Sequence, residues 1–367
     1  MAKSMMSNID LFTPIQVGPY HLANRIVMAP MTRNRAAQGN VPQPLNVEHY
    51  SQRAGAGLIV TEGSQIADDA LGYPATPGIH SDEQVAGWTA VTDAVHEKGG
   101  HIFLQLWHTG RVSHPSLLPG EMLPVAPSAI KPDGEAITYS GPQPYVTPRA
   151  LELDEIPAII TQYRVAAAHA KQAGFDGVEI HAANGYLLDQ FLRDATNQRS
   201  DVYGGSIDNR ARLLMEVTEA VASVWSDDRV AVRLSPLQPF NDMYDSNPEA
   251  TFTRVINMLN EFALAYLHVT EMGSDAPGAA GPAFDLHSLK QHWDGNYMTN
   301  GGYDKQKGNA ALAAGEADLI SFGVPYIANP DLVERFAQGA ALNEANPETF
   351  YGGGAEGYTD YPSLADS

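Results

Sequence analysis

Short apolar runs rich in β-branched residues recur along the 367-residue chain, at residues 25–29, 58–61, 101–106, 177–180, 230–234, 266–270, 296–299 and 319–322. Each has the length and branching of a buried strand, the seventh being the weakest. Longer stretches of helical period lie between them: Ile159, Tyr163, Ala166 and Ala170 share one face, as do Leu214, Val217, Val221 and Val224. This alternation predicts a parallel sheet whose strands are joined by crossover helices. Eight repeats without a break in composition predict an α/β fold, a single (β/α)₈ TIM barrel occupying residues 1–367 as one domain. A doubly wound open sheet is the competing architecture, and the absence of a GxGxxG after an early strand weighs against it.

Ser81-Asp82 before the second helix, Asp208 before the fourth and Asn329-Pro330 before the last supply helix-start signals. Two stretches stand outside the repeat. Residues 109–150 hold eight of the chain's 25 prolines and predict a long loop after strand three; loops of that length in compact domains are usually functional. Residues 272–282, rich in Gly and Ala, predict a second, mobile loop after strand six. The tail, residues 350–362, mixes glycines with Tyr351, Tyr358 and Tyr361 and is expected to lie against the barrel.

Charge narrows the function classes. Lys and Arg total 22 against 43 Asp and Glu, a formal charge of −21, which repels nucleic acid and anionic membrane and requires any phosphate ligand to be held locally. The chain has no cysteine, which excludes disulfides, thiolate metal sites and Cys nucleophiles and suits a reducing compartment. No apolar run reaches signal-peptide or membrane-span length, so the expectation is a cytoplasmic protein acting on small molecules, as a monomer or homodimer.

In such a barrel the active site forms at the carboxyl ends of the strands. Polar residues converge there: Thr32 after strand one, Glu62 and Gly63 on strand two, Gln105, Trp107 and His108 on strand three, Glu179 and His181 on strand four. Arg233 follows on strand five, Asn300, Gly301 and Gly302 on strand seven, and Gly323 on strand eight. The most specific stretch is residues 179–192. A lone His181 reads as a hydrogen-bonded interior histidine, but Asn184 and Tyr186 join it, giving three side chains that can donate toward one point. No metal site is expected, because no second His lies at helical spacing and there is no HExxH.

Six segments carry a resemblance. They are Asn24-Arg-Ile-Val-Met-Ala-Pro-Met-Thr-Arg33, Gln52-Arg-Ala-Gly-Ala-Gly-Leu-Ile-Val-Thr-Glu62, Gln105-Leu-Trp-His-Thr-Gly-Arg111, the stretch from His181 to Tyr186, Asn197-Gln-Arg-Ser-Asp-Val-Tyr-Gly-Gly205, and Tyr351-Gly-Gly-Gly-Ala-Glu-Gly-Tyr-Thr-Asp-Tyr361. In this order they resemble the Old Yellow Enzyme family of flavin-dependent ene-reductases over essentially the full length, and the tail and the Asn-Gln-Arg segment are similar to its bacterial branch acting on nitrate esters and maleimides.

The resemblance implies a non-covalent FMN reduced by NADPH or NADH. It implies that Pro30, Met31 and Thr32 border the isoalloxazine, that Gly63 permits close approach of backbone, and that Gln105 and Arg233 meet the pyrimidine edge, where an arginine stabilises the anionic reduced ring. His181 and Asn184 would grip the substrate oxygen in the manner of an oxyanion hole, and Tyr186 would protonate the α-carbon as general acid. Tyr73, Trp107 and Tyr351 would wall the pocket. The implied reaction is reduction of the C=C bond of α,β-unsaturated carbonyls, maleimides or nitroalkenes. Release of nitrite from nitrate esters is the alternative in the same pocket. A flavin-free lyase or isomerase is the reading from another class; an aldolase of that kind wants a Schiff-base lysine at a strand end, and the eight runs contain none.

The chain departs from the family pattern in two places. One group of these reductases sets a Cys against the flavin near the end of strand one, where this chain has Met31 and Thr32. After strand eight the family usually continues Phe-Gly with a basic residue that holds the flavin phosphate, and this chain reads Phe322-Gly323-Val324-Pro325. Backbone amides of Gly301, Gly302, Gly323 and Val324 are expected to form the anion site instead, with Lys305 as a substitute cation.

Overall fold

The computed structural model describes residues 9–272 and 281–366. Eight parallel strands close into a barrel: β1 (Ile26–Met28), β2 (Leu58–Gln65), β3 (Ile102–Trp107), β4 (Gly177–Ala182), β5 (Val230–Leu234), β6 (Tyr266–Thr270), β7 (Tyr297–Asn300) and β8 (Leu319–Phe322). They pair in chain order and β8 returns to β1. All eight apolar runs become barrel strands, the weak seventh included.

Side-chain parity explains how one strand serves two surfaces. In β4, Val178, Ile180 and Ala182 join the outer core with Ala166, Ala170 and Val217, so Glu179 and His181 point to the barrel axis. The bottom of the axis is filled by Val27, Val60, Phe103, Ala231, Tyr266, Met298 and Leu319, beneath which the hairpin of Ile15–Val17 with Tyr20–Leu22 closes the end. The polar inward residues therefore begin one layer up, at Gln105, Glu179, Arg233 and His268.

The surrounding helices are α1 (Pro44–Gln52), α2 (Asp82–His96), α3 (Ile156–Gln172), α4 (Leu187–Leu192), α5 (Ile207–Trp225), α6 (Pro248–Leu259), α7 (Lys305–Ala314), α8 (Val324–Ala328) and α9 (Leu332–Gln338). Between β6 and β7 the described residues carry a 3₁₀ helix, Leu286–His292. Ser81 caps α2 as expected, in a reciprocal box with Gln84. Two expected helix starts are displaced. Ser206, two residues before Asp208, is the cap of α5, because a cap must precede the first helical residue. Asn329 bonds the carbonyl of Pro325 and the amide of Asn343, and α9 begins at Leu332 without a side-chain cap.

The proline-rich segment after β3 is ordered by short pairings: Val125–Ala126 with Arg149–Ala150, and the hairpin Glu135–Thr138 with Gly141–Pro144. Arg111, buried, ties it across the mouth of the barrel by donating to the carbonyls of Ile130 at 3.1 Å and Asp242 at 2.8 Å. The central part of the second expected loop, residues 273–280, lies outside the described residues. The tail packs on the barrel as expected. Arg33 donates to the carbonyls of Phe350 and Gly357, and Arg35 to those of Gly354, Thr349 and Glu356. The Tyr358 ring stacks on His49 at 3.9 Å with Arg35 above it.

Candidate active site

The turn after β4 is built by buried polar groups beneath it. Asn184 has a left-handed backbone, φ 57°, held by a bond from its amide to Ser235 Oγ and by Asn241 Nδ2 donating to its carbonyl at 2.8 Å. Gly185 N–H donates to Asp189 Oδ2 at 2.8 Å, and Asp189 is itself fixed by Arg193 at 2.8 Å in a fully buried pair. All backbone bonding of Asn184 is thus satisfied within the protein, while its carboxamide makes no protein hydrogen bond among the described residues.

Aromatic packing unites four of the expected residues. The Trp107 ring lies 6.2 Å from His181, 4.9 Å edge-on to Tyr186 and 5.7 Å in a stack with Tyr73. His181 and Tyr186 are 5.0 Å apart, and the hydroxyls of Tyr186 and Tyr73 share a hydrogen bond of 3.3 Å. Gly63 serves this cluster: a Cβ there would sit 2.6 Å from Trp107 Cε3. Burial pushes the Tyr186 phenol up to about 12 despite its bond to Tyr73, so it stays protonated at neutral pH. His181 is only 3% exposed. Burial first, then the cationic Arg233, holds its imidazole well below the usual value. It is a neutral ring whose Nδ1 has no protein partner.

Beneath this cluster lies a polar floor. Gln105 Nε2 donates to Glu179 Oε1 at 2.8 Å, and His268 Nδ1 meets Glu179 Oε2 at 2.9 Å. Burial raises the Glu179 carboxyl, but His268, Arg233 and Gln105 outweigh it and hold the group below the usual range. His268 is depressed by burial and by Arg233 against the pull of Glu179, so a neutral imidazole donates its Nδ1–H to an ionised carboxylate. Arg233 donates to Asn300 Oδ1 at 3.2 Å, and its Nε is buried without a partner. No direct Arg233 ion pair forms among the described residues. A bulge in β2 between Val60 and Gly63 brings Thr61 Oγ1 under the Gln105 amide at 3.1 Å and sets that residue's height.

The other rim is more open. Pro30, Met31 and Thr32 are half-buried after β1, and Met31 Sδ lies 3.6 Å from where a Cβ of Gly323 would be. Gly301 and Gly302 have φ of 148° and 63°, and nothing lies within 4 Å of a Cβ on Gly302, leaving backbone free to meet an anion. Val324 is 56% exposed. Lys305, the expected substitute cation, is engaged elsewhere: Nζ bonds the Phe336 carbonyl and lies 5.6 Å from the Phe12 ring. Lys307 instead reaches the Gly301 carbonyl at 3.1 Å. Tyr351 is 69% exposed; it stands at the mouth, near enough to raise Tyr73 and Tyr186.

The floor contains three residues to which the sequence assigns no role: Glu179 and Asn300, named only among the converging strand-end residues, and His268, not named there at all. A polar residue at the inward parity of an otherwise apolar strand, His268 between Leu267 and Val269, is the signal that marks them. The donor set suits a flat ligand with an amide-like edge and an anionic tail, since Arg233 Nε is an unfilled buried donor and the Gly302 backbone is open. Among the described residues there is no cluster of His, Cys, Asp and Glu fit to hold a metal ion, and no helix is long and apolar enough to cross a membrane.

Residues 10–343 match the family model described as the NADH:flavin oxidoreductase / NADH oxidase family. Putative 12-oxophytodienoate reductase 11 of Oryza sativa subsp. japonica is 44% identical, the alignment covering 98% of this chain and 99% of the relative. 12-Oxophytodienoate reductase 2 of Arabidopsis thaliana is 41% identical over 97% and 96%. Among solved structures, morphinone reductase superposes with a TM-score of 0.94 at 48% identity, covering 99% of this chain and 98% of that one. An old yellow enzyme homologue from Zymomonas mobilis does so with 0.94 at 46%, covering 97% and 100%.

Proposed function

The chain belongs to the NADH:flavin oxidoreductase / NADH oxidase family, and from that premise we propose that it is an NAD(P)H-dependent ene-reductase for α,β-unsaturated carbonyls, maleimides or nitroalkenes. Two relatives are named for 12-oxophytodienoate and a solved neighbour for morphinone, and a morphinone reductase structure holds tetrahydroNAD. The observation that carries the reading is a neutral His181 with an unfilled buried nitrogen, 5.0 Å from the ring of a Tyr186 that keeps its proton.

FMN held in this pocket would supply the redox chemistry, hydride transfer from a nicotinamide to an activated alkene. Arg233 and Gln105 would hold its pyrimidine edge, Pro30, Met31 and Thr32 would flank the ring, and the backbone of Gly301, Gly302, Gly323 and Val324 would receive its phosphate. His181 and Asn184 donate to the substrate oxygen, where negative charge builds as the β-carbon becomes saturated; preset donors in a dry pocket stabilise that charge far better than water does. Tyr186 gives its hydroxyl proton to the α-carbon, and Tyr73, 3.3 Å away, offers the resulting phenolate a hydrogen bond. Trp107, Tyr73 and, at the mouth, Tyr351 shield the site from solvent. The formal charge of −21 supports a small-molecule substrate and no nucleic-acid partner.

A visible spectrum tests the reading. The protein incubated with FMN should be yellow, bleach on anaerobic addition of NADPH and turn yellow again with cyclohexenone. A protein that stays colourless with FMN, or that is never reoxidised by the enone, overturns it.

A further inference from the structure

Glu179 touches neither the aromatic cluster nor the barrel mouth, yet three of the floor's polar groups are organised around it. A carboxylate only accepts hydrogen bonds, so the Gln105 atom 2.8 Å from Glu179 Oε1 is the amide nitrogen, and Gln105 Oε1 is left as the acceptor presented to a ligand. His268 holds the second carboxylate oxygen at 2.9 Å, which stops the carboxylate from rotating. Both Glu179 and His268 side chains are 0% exposed.

The charge arrangement is equally specific. Register places His181 beside Arg233, so Glu179 lies one inward position below the guanidinium. Among the described residues Arg233 bonds only the neutral Asn300 and keeps Nε free. Glu179 is the strongest anionic influence on it. The cation is therefore offset through space and not consumed by a direct pair. In a dry interior such a field is felt over several ångströms.

We infer that Glu179 is a positioning residue: it fixes the Gln105 amide with its oxygen toward the ligand and offsets the Arg233 cation, and so lowers the reduction potential of the flavin above. The inference rests on the reading that this pocket holds FMN. A positive field at the pyrimidine edge favours the anionic reduced ring, and a buried anion below it subtracts from that field.

Glu179→Gln keeps the size of the side chain and removes the charge. In the FMN-loaded protein it should favour the reduced over the oxidised cofactor by roughly tenfold, an upward shift of about 30 mV for a two-electron couple, read by equilibration with redox dyes. Glu179→Asp keeps the charge and should hold the potential near the wild-type value even where it lowers the melting temperature. A purely structural Glu179 predicts lower melting temperatures for both variants and an unchanged potential for both, which overturns the inference.

Should Glu179→Gln fail to fold, Arg233→Gln is compared with the double variant E179Q/R233Q, which leaves neither charge buried alone. The double variant should have the higher potential, and equal potentials overturn the inference. A wild-type protein that takes up no FMN overturns both the inference and the reading beneath it, whereas FMN uptake with identical potentials overturns the inference alone.

Discussion

Around β3 to β6 the polar groups at the barrel mouth are held from behind by other buried side chains. Just past the ends of β7 and β8, beyond the buried Asn300, the rim is glycine backbone that is half-buried or exposed. Gln105, Glu179 and His268 form one hydrogen-bonded set, Arg233 and Asn300 form another beside it, and the turn bearing Asn184 rests on Ser235, Asn241 and Asp189. The opposite rim offers Gly301, Gly302 and Gly323 beside an exposed Val324. On the proposed function, the groups that would meet changing charge are over-determined, since an ångström of misplacement there is costly, and those that would only anchor the cofactor phosphate are left to backbone dipoles.

The sharpest way to break this comparison is Tyr186→Phe. Reduction of an enone should fall by roughly 10²–10⁴ in rate, the usual worth of a positioned general acid, while nitrite release from a nitrate ester, which needs no carbon protonation, should stay close to wild type. Stopped-flow reoxidation with each substrate measures both, and an equal loss in the two would show Tyr186 acting by packing alone.

On the anchoring rim, Val324→Arg adds one charge-assisted bond worth about 1.5–3 kcal/mol. FMN should then bind roughly ten- to a hundredfold tighter, as read by fluorescence titration of the apoprotein. Equal dissociation constants would mean the backbone site is already sufficient.

The smallest expected effect is an absence of one. His181 titrates well below the ordinary value and is neutral above it; Tyr186 titrates near 12 and is protonated below it. The oxidative half-reaction should therefore be flat between about pH 6 and pH 9, where an unperturbed histidine would show a step. An inflection that vanishes in His181→Asn would contradict the neutral imidazole.

Much of this molecule was legible because its determinants are local. Each strand is an apolar run, Ser81 and Gln84 sit three apart, and the segment from His181 to Tyr186 carries its donors within one turn. What escaped is what depends on distance along the chain. Glu179 meets Gln105 across 74 positions and His268 across 89, so strand parity marks each as inward-facing but does not say which of them meet. The cap of α5 was misread for a different reason: Ser206 and Asp208 are equivalent signals by composition, and only the backbone decides which of them precedes the first helical residue. Lys305 matched the need for a cation, but its long stem carries the ammonium to Phe336, a direction no sequence pattern encodes.

The clamp formed by Arg33 and Arg35 sets a timetable. Arg33 finds its acceptors at Phe350 and Gly357 only after 317 and 324 further residues have been joined. At usual elongation rates that is a wait of roughly 15–65 s, during which the nascent chain keeps two guanidinium groups in water and the ledge carrying Met31 and Thr32 unfastened. Cleavage just before Thr349 should loosen the same ledge, so cofactor retention becomes a report on whether the segment from Thr349 onward is still attached.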